Sequence, residues 1–268
     1  MGIIDTHAHV ACNELFERID EIINNAKEAG LLKILIVCTN LEEGKRAIKL
    51  CEENDLFDCA IGFHPEDAGK ISELDLSKLE NMLKNKYVVA LGEIGLDYYW
   101  VSDNKDEQKS LFINQIKLAN KFDLPVLIHM RDASEDTLKI LKENPCKGVL
   151  HCYSGSAEIA KEILKLGMYI SFAGPITFKN AKNAPDVCKI VPIERLFVET
   201  DCPYLTPHPH RGKQNEPSFV KYTFSKVCEI KKISENELMI QMINNYLQLF
   251  NKTKLIYDEF IIKSNHLI

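Results

Sequence analysis

Two histidines near the start of the sequence have the spacing of a metal-binding pair. They lie in D-T-H-A-H at residues 5–9, directly after two isoleucines that are typical of a buried strand. Because side chains alternate along a strand, Asp5, His7 and His9 point to one side. Two imidazoles on a rigid strand can bind one divalent ion, with a carboxylate nearby to orient or supplement them. Surface or hydrogen-bonded histidines have the same spacing, so H-x-H alone is a weak signal.

More residues of the same chemical types follow later apolar runs, which strengthens the metal hypothesis. They are His64, Glu93, His129, His151 and Asp201. Any one of them is compatible with an ordinary core or surface polar group. For the whole set that alternative is poor, because a buried ionisable group is costly unless it is paired or bound to a metal.

Short β-rich runs that alternate with longer helical patterns would position these side chains. The predicted strands are residues 3–5, 34–38, 58–62, 88–92, 126–129, 149–152, 169–172 and 196–198. The predicted helices are residues 15–29, 42–53, 74–83, 108–122, 134–142, 157–166, a weaker one near 181–188, then 218–230 and 235–250. This alternation, with strands that are apolar on both faces, predicts a parallel sheet covered by helices. Eight units predict an α/β protein with a closed (β/α)8 TIM barrel, in which catalytic groups lie at the carboxyl ends of the strands.

Length and composition fit one globular domain. The 268 residues are 46% hydrophobic and 27% charged, and no Gly/Ser/Pro-rich linker divides them. We expect a single barrel domain over residues 1–250. Residues 251–268 follow the last helix and contain two apolar clusters, so we expect a C-terminal extension packed on the barrel.

Charge and cysteine content exclude some classes of protein. A net charge of −6 argues against a protein coated in basic surface, although it leaves room for a nuclease that grips phosphate with metals and a few cations. The nine cysteines are scattered without a C-x-x-C pair, so we expect reduced core residues. No segment has the pattern of a bilayer span or a signal peptide, which predicts a cytoplasmic protein with no membrane partner. No obligate protein partner is evident either, so we expect a monomer.

Four histidines, one glutamate and one aspartate are more ligands than one tetrahedral ion can bind. Two ions that share a bridging carboxylate fit better, and Glu93 has the two oxygens and the position for that bridge. Paired ions roughly 3.5–4 Å apart suit hydrolytic displacement at phosphorus. Nitrogen and oxygen ligands without thiolate suit Zn, Mn, Co, Ni, Fe and sometimes Mg, so the metal stays open.

Eight ordered motifs show a resemblance to a known family. Between Gly2 and about Phe250 the sequence resembles the TatD-family metal-dependent deoxyribonucleases, which belong to the amidohydrolase-like superfamily of (β/α)8 barrels. The motifs are D-T-H-A-H, G-F-H-P, L-G-E-I-G-L-D-Y, H-M-R-D-A, H-C-Y-S-G, F-A-G-P-I-T-F-K-N-A, V-E-T-D-C-P-Y-L-T-P and H-R-G-K-Q-N-E-P. The last motif more often reads H-R-G-K-R-N-E-P in the family, so Gln214 replaces a basic residue here.

The resemblance implies an activity and a ligand set. The activity is hydrolysis of phosphodiester bonds in DNA, from an end and with single strands preferred, using two divalent ions (Mg, Mn or Zn). By this resemblance one ion is held by His7, His9, Glu93 and Asp201, and the other by Glu93, His129 and His151. Asp201 would also receive a proton from the activated water, a role that its predicted place on the rim independently allows.

The resemblance also suggests residues on the substrate side. His64 resembles the family's histidine that meets a phosphate or assists proton transfer, although a histidine that caps the turn before a proline explains it too. Arg131, Lys179 and Arg211 occur in motifs that face the rim and can pair with phosphate oxygens, while a solvated surface fits each of them nearly as well.

Two further features near the rim have open interpretations. Glu199 has the same strand parity as Asp201, so it would orient a ligand histidine or contact substrate. Tyr98, Tyr99 and Trp100 come just after Glu93, where exposed rings would stack on bases and packed rings would form a lid.

Two alternatives to a deoxyribonuclease remain at this point. One keeps the metal centre and changes the bond, as in an ester or amide hydrolase such as a D-aminoacyl-tRNA deacylase. The other is a binding scaffold without catalysis, which the intact ligand set argues against.

Overall fold

The structure is a computed structural model that describes residues 2–253. Eight parallel strands are hydrogen-bonded in chain order. They are β1 Ile3–Ala8, β2 Leu31–Cys38, β3 Phe57–Ile61, β4 Val88–Asp97, β5 Val126–Arg131, β6 Gly148–Leu150, β7 Tyr169–Phe172 and β8 Leu196–Val198. Almost every strand residue is buried, because helices cover the outside of the sheet.

The first and last strands meet just beyond their carboxyl ends. Ala8 forms an isolated parallel bridge with Cys202. The Asp201 amide donates to the His7 carbonyl over 2.9 Å, and the His9 amide donates to the Cys202 carbonyl over 2.9 Å. These bonds bring the ends of the sheet together, so the predicted (β/α)8 TIM barrel is confirmed.

Ten α-helices accompany the strands in the described part of the chain. They are α1 Asn13–Phe16, α2 Ile19–Glu28, α3 Leu41–Glu53, α4 Glu73–Met82, α5 Lys105–Lys121, α6 Ser134–Glu143, α7 Ala157–Lys165, α8 Asn183–Ile190, α9 Val220–Lys231 and α10 Glu235–Leu249. Short 3-10 helices occupy Pro65–Lys70, Gly174–Thr177, Ile193–Arg195 and Pro217–Phe219.

The structure corrects the prediction of one helix over residues 15–29. The chain forms α1 and α2 instead, because Arg18 leaves the helical conformation at φ −110° and ψ 19°. Its guanidinium group bonds Glu21 and, from Nη1 over 2.7 Å, the Gln214 side chain. This contact with a distant loop is not visible in a local pattern of apolar residues.

Strand β4 is longer than predicted, and the difference matters for the site. Glu93, expected after the strand, lies within it, and pairing with β5 continues through Gly95 opposite His129 and Asp97 opposite Arg131. A Cβ at Gly95, whose φ is +141°, would lie 2.0 Å from the His129 carbonyl oxygen. Only glycine allows this close approach, which brings the end of β4 beside His129.

A buried polar network lies at the amino end of the strands. Lys33 Nζ is 3.2 Å from Asp58 Oδ1 and donates to the Asp55 carbonyl over 2.7 Å. The Tyr246 hydroxyl donates to Asp58 Oδ2 over 2.9 Å, and the Thr253 hydroxyl bonds the same oxygen. Each donor in this network therefore has an acceptor.

The remaining predictions about the chain have mixed outcomes. All nine cysteines are free in the structure, and six of them are buried. Among the helices of residues 2–253, none has the length and apolar character needed to cross a membrane. The predicted C-terminal extension covers residues 251–268, and residues 254–268 lie outside the described part of the chain.

Candidate metal centre

Six side chains meet at the carboxyl end of the barrel. His7 belongs to β1 and His9 follows it, Glu93 belongs to β4, and His129 belongs to β5. His151 directly follows β6, and Asp201 comes three residues after β8. All are buried except His129, which is partly buried. The fold thus brings together side chains that come from a span of 195 residues.

Glu93 lies at the centre, and one of its oxygens faces the first strand. Glu93 Oε2 is 3.4 Å from His7 Nε2 and 3.5 Å from His9 Nε2. Asp201 Oδ1 completes this side at 3.3 Å from His9 Nε2 and 3.8 Å from His7 Nε2.

The other oxygen of Glu93 faces the fifth and sixth strands. Glu93 Oε1 is 2.9 Å from His129 Nδ1 and 2.8 Å from His151 Nε2, and these two nitrogens are 3.2 Å apart. The rings of His7 and His151 stack at a centroid distance of 4.0 Å, so the two sides adjoin.

The far nitrogen of three of these rings is held by an acceptor. His9 Nδ1 is 3.0 Å from the Val37 carbonyl oxygen, His129 Nε2 is 2.8 Å from Asp97 Oδ2, and His151 Nδ1 is 3.2 Å from Glu199 Oε1. A carbonyl or carboxylate oxygen only accepts, so the far nitrogen carries the hydrogen. The other nitrogen of each ring therefore points at the centre, where it can bind a proton or a metal ion.

The pKa values of the central side chains show that the buried carboxylates favour positive charge on the histidines around them. Burial lowers the pKa of His9, but the bond to Asp201 and the charge of Glu93 raise it by more, to about 9. Burial also lowers the pKa of His151, but the charge of Glu93 and the bond with Glu199 raise it by more. The pKa of His151 therefore lies well above its ordinary value. Burial raises the pKa of Glu93, yet the charge of His151 and the hydrogen bond with His129 outweigh it and hold the pKa well below its usual range.

These residues fit divalent metal ions. Imidazole nitrogens and carboxylate oxygens lie within 4.8 Å of one another in three groups of possible metal ligands. Acceptors that face acceptors in a buried place require protons or a cation between them. The three groups are His7, His9 and Asp201; His7, Glu93 and His151; and His64, Glu93 and His129.

Asp5 has a different position from the one that strand alternation suggested. Its Oδ1 accepts from the Thr200 amide over 2.9 Å and its Oδ2 accepts from the Thr200 hydroxyl over 2.6 Å. Burial raises the pKa of Asp5 to about 8 despite these bonds. The carboxyl group therefore joins β1 to the segment that carries Asp201, rather than supplementing the two histidines directly.

Both interpretations of His64 find support in its surroundings. Its Nδ1 accepts from the Glu66 amide over 3.4 Å, so it caps the 3-10 helix that starts at Pro65. Its Nε2 lies 3.7 Å from Glu93 Oε1, close enough to belong to one of the donor groups. Burial, the largest cause, lowers the pKa of His64 to about 4, so the ring is neutral at pH 7.

The predicted cationic residues all lie at this end of the barrel but in different settings. The guanidinium carbon of Arg131 lies 3.9 Å from the ring centroid of Tyr99 and 5.2 Å from that of Trp100. That of Arg211 lies 3.8 Å from the ring centroid of Phe178. Lys179 is exposed just after the 3-10 helix that follows β7. None is packed among the six central side chains.

Glu199 is buried, and one of its oxygens serves the protein itself. Oε1 is 3.2 Å from His151 Nδ1 and accepts from the Cys152 amide over 2.8 Å. These contacts favour the interpretation that Glu199 orients a histidine. Oε2 is buried with no partner among the described residues.

The three aromatic residues after Glu93 do not form a packed lid. Tyr98 is partly buried, and its hydroxyl donates to Asp136 Oδ2 over 2.7 Å. Tyr99 is 55% exposed and Trp100 is 63% exposed.

Asp97 has a positioning role that sequence reasoning missed. Its Oδ2 orients His129, and its Oδ1 accepts from the amides of Tyr99 and Trp100 over 2.9 and 2.8 Å. Strand parity carried a usable signal, because Asp97 lies four residues after Glu93. The Val37 carbonyl that orients His9 carries no such signal, since any residue supplies one.

A barrel with this donor set at the carboxyl ends of its strands defines a metal-dependent hydrolase, and comparisons with known proteins agree. The chain is 44% identical over 251 residues to YabD of Bacillus subtilis, described as an uncharacterised metal-dependent hydrolase, covering 92% of this chain and 98% of that protein. It is 37% identical over 257 residues to the similarly described YcfH of Escherichia coli K12, covering 94% of this chain and 96% of YcfH. The crystal structure of YjjV, a TatD homologue of Escherichia coli K12, superposes with a TM-score of 0.88 at 32% identity, over 93% of this chain and 98% of YjjV.

The family assignment is specific. Residues 4–251 match the family of TatD-related DNases, and the chain belongs to that family. A phosphotriesterase homology protein of Escherichia coli, with a TM-score of 0.65 at 14% identity, shares the fold.

Proposed function

We propose that this protein is a two-metal phosphodiesterase that hydrolyses DNA, preferring single strands and cutting from an end. The proposal rests mainly on the two carboxylate oxygens of Glu93, which face different pairs of histidines. Oε2 faces His7 and His9, and Oε1 faces His129 and His151. One carboxylate between two sets of imidazoles is suited to bridge two cations. Two divalent ions bound there would polarise a water molecule and the phosphate, and would neutralise charge on the departing oxygen.

Asp201 is the candidate proton acceptor. Burial raises its pKa, but the bond to His9 and the charge of His151 lower it by more, so the pKa lies below the ordinary value and the group is ionised at pH 7. Asp201 takes a proton from the attacking water as the new O–P bond forms. It returns that proton to the sugar oxygen as the old P–O bond breaks.

His64 is suited to donate a hydrogen bond rather than a proton. Because its Nδ1 accepts from the Glu66 amide, the hydrogen of the neutral ring lies on Nε2, which faces Glu93. A phosphate oxygen that approaches Glu93 would therefore meet an N–H donor. Arg131, Lys179 and Arg211 would hold phosphates further along the strand.

The direct test is cleavage of a labelled oligonucleotide by purified protein supplied with Mg²⁺, Mn²⁺ or Zn²⁺. We expect stepwise shortening of a single strand, faster than that of the matched duplex, and no shortening by Asp201→Asn. Glu162→Gln, a change in an ion pair at the helical surface, is the matched control and should retain activity. A D-aminoacyl-tRNA serves as the competing substrate. Cleavage of its ester with every oligonucleotide left intact would contradict the proposal.

A further inference from the structure

Exposed aromatic rings are concentrated at the mouth of the barrel. Six large hydrophobic side chains are exposed among residues 2–253. The three aliphatic ones lie on helices and are Leu74, Ile190 and Ile240. The three aromatic ones lie on loops after strands that carry candidate ligands: Tyr99 and Trp100 follow β4, and Tyr204, 58% exposed, follows β8.

These rings occupy opposite sides of the site. In an eight-stranded barrel with its strands in chain order, β4 and β8 are four positions apart and lie across the mouth from each other. Tyr204 belongs to the side of His9, whose ring centroid is 6.2 Å from its own. Tyr99 and Trp100 belong to the side of His129, because Asp97 bonds their amides and that imidazole.

The loop after β4 is rigidly built. Asp97 Oδ1 accepts from the amides of Tyr99 and Trp100, and Gln108 secures the same loop from below. The fully buried Gln108 side chain donates to the Asp97 and Val101 carbonyls, each over 2.9 Å, and accepts from the Asp97 amide over 2.8 Å. The backbone that carries the two exposed rings is therefore held by several hydrogen bonds.

The loop after β8 is secured in a similar manner. The Tyr204 amide donates to the Asp201 carbonyl over 3.0 Å, and the Tyr204 carbonyl accepts from Asn215 Nδ2 over 2.6 Å. Its backbone is thus tied to the candidate proton acceptor, while the ring faces solvent.

Charge makes the surface after β4 suitable for a nucleic-acid strand. The Arg131 guanidinium group contacts the faces of Tyr99 and Trp100, whose rings meet edge to face at 4.8 Å. A base has an aromatic face and its nucleotide carries a phosphate, so rings beside a cation match both parts.

We propose that Tyr204 and the cluster of Tyr99, Trp100 and Arg131 are two stacking sites that hold unpaired bases on either side of the phosphate to be cut. This inference rests on the proposed phosphodiesterase function and specifies its substrate. The substrate is a single-stranded segment with a base on both sides of the scissile bond. In a duplex the base faces are covered by neighbouring pairs, so paired nucleotides must separate before they reach these rings.

Trp100 provides a direct test because it is the single tryptophan of the sequence. Its fluorescence is measured while Mg²⁺-loaded Asp201→Asn protein, which we expect not to cleave, is titrated with oligothymidine. We expect quenching by oligothymidine, weaker quenching by a blunt duplex, and none by an abasic strand of equal length. Equal quenching by the abasic strand, or no quenching by oligothymidine, would overturn the proposal.

Kinetics separate the two sites. Trp100→Ala and Tyr204→Ala should each raise KM for oligothymidine about tenfold, and because the sites are distant the double variant should raise it about a hundredfold. Trp100→Phe and Tyr204→Phe keep an aromatic face, so they should raise KM much less. Ile240→Ala, which removes an exposed aliphatic side chain on α10, is the matched control and should keep the wild-type KM.

Two different failures can be distinguished. If oligothymidine quenches Trp100 in the Asp201→Asn protein as described, but the wild type cleaves no oligonucleotide with any metal, the proposed function fails and the stacking sites stand. If the wild type cleaves and both alanine variants keep its KM, the stacking sites fail and the phosphodiesterase stands.

Discussion

The two ends of the barrel each bury a group of ionisable side chains, and the groups differ in how they are satisfied. At the amino end, Lys33 and Tyr246 donate to separate oxygens of Asp58, so charge and hydrogen bonds balance within the protein. At the carboxyl end, imidazole nitrogens and carboxylate oxygens direct lone pairs at one another around Glu93. The first arrangement is complete in itself and stabilises the fold. The second is complete only when protons or added cations lie between these atoms, and such a cluster is typical of a functional site.

The largest expected effect comes from Glu93→Gln. Removing the shared charge should lower turnover about 10³-fold, the scale seen when a group that stabilises transition-state charge is lost. The measurement is kcat on an oligonucleotide, with circular dichroism to check the fold. Near wild-type turnover by a folded variant would remove the two-metal mechanism.

Lys33→Met should have the opposite profile. It leaves Asp58 buried without its cation, so we expect the free energy of unfolding to fall by about 3–5 kcal/mol while kcat is retained. Urea denaturation measures the loss, and Lys45→Met, which breaks an exposed pair with Glu42, should cost at most about 1 kcal/mol. A loss of activity without a loss of stability would show that the two ends do not divide the roles in this way.

Asp97→Asn should weaken metal binding, and we expect this effect to be smaller than that of Glu93→Gln. The amide oxygen can still accept from the loop, but the amide nitrogen would face His129 Nε2 as a donor and favour the wrong tautomer. We expect about 10- to 100-fold lower metal affinity, measured by calorimetry. Asp103→Asn, in the exposed part of the same loop, is the control. Equal affinities of the two variants would contradict the orienting role.

The smallest effect is the pH dependence of metal binding. In the metal-free protein the pKa of His9 is raised to about 9, so at pH 7 a metal ion must displace its proton. Affinity should therefore rise with pH below about 9, by about tenfold per pH unit for each proton displaced. Calorimetry in buffers of different ionisation enthalpy measures proton release. Affinity that is independent of pH between 6 and 8 would show that no proton is displaced.

Much of the fold could be predicted from the sequence, because the spacing of apolar residues is a local signal. Apolar runs and helical spacing located the eight strands, and the sequence indicated that His7, Glu93 and His151 lie in or near strands, although Glu93 lies within β4 rather than after it. Contacts between distant segments carry no local signal. Arg18, at the break between α1 and α2, bonds the distant Gln214, Asp5 bonds Thr200, and the extension of β4 uses the space that Gly95 leaves beside His129. The setting of Arg131 could not be predicted for the same reason, since it depends on how the end of β5 meets the loop after β4.

The most direct test of the central claim is anomalous diffraction from crystals grown with Mn²⁺. We predict two peaks roughly 3.5–4 Å apart. One should lie among Glu93 Oε2, His7, His9 and Asp201, and the other among Glu93 Oε1, His129 and His151. A single peak at full occupancy, or peaks that Glu93 does not touch, would contradict it.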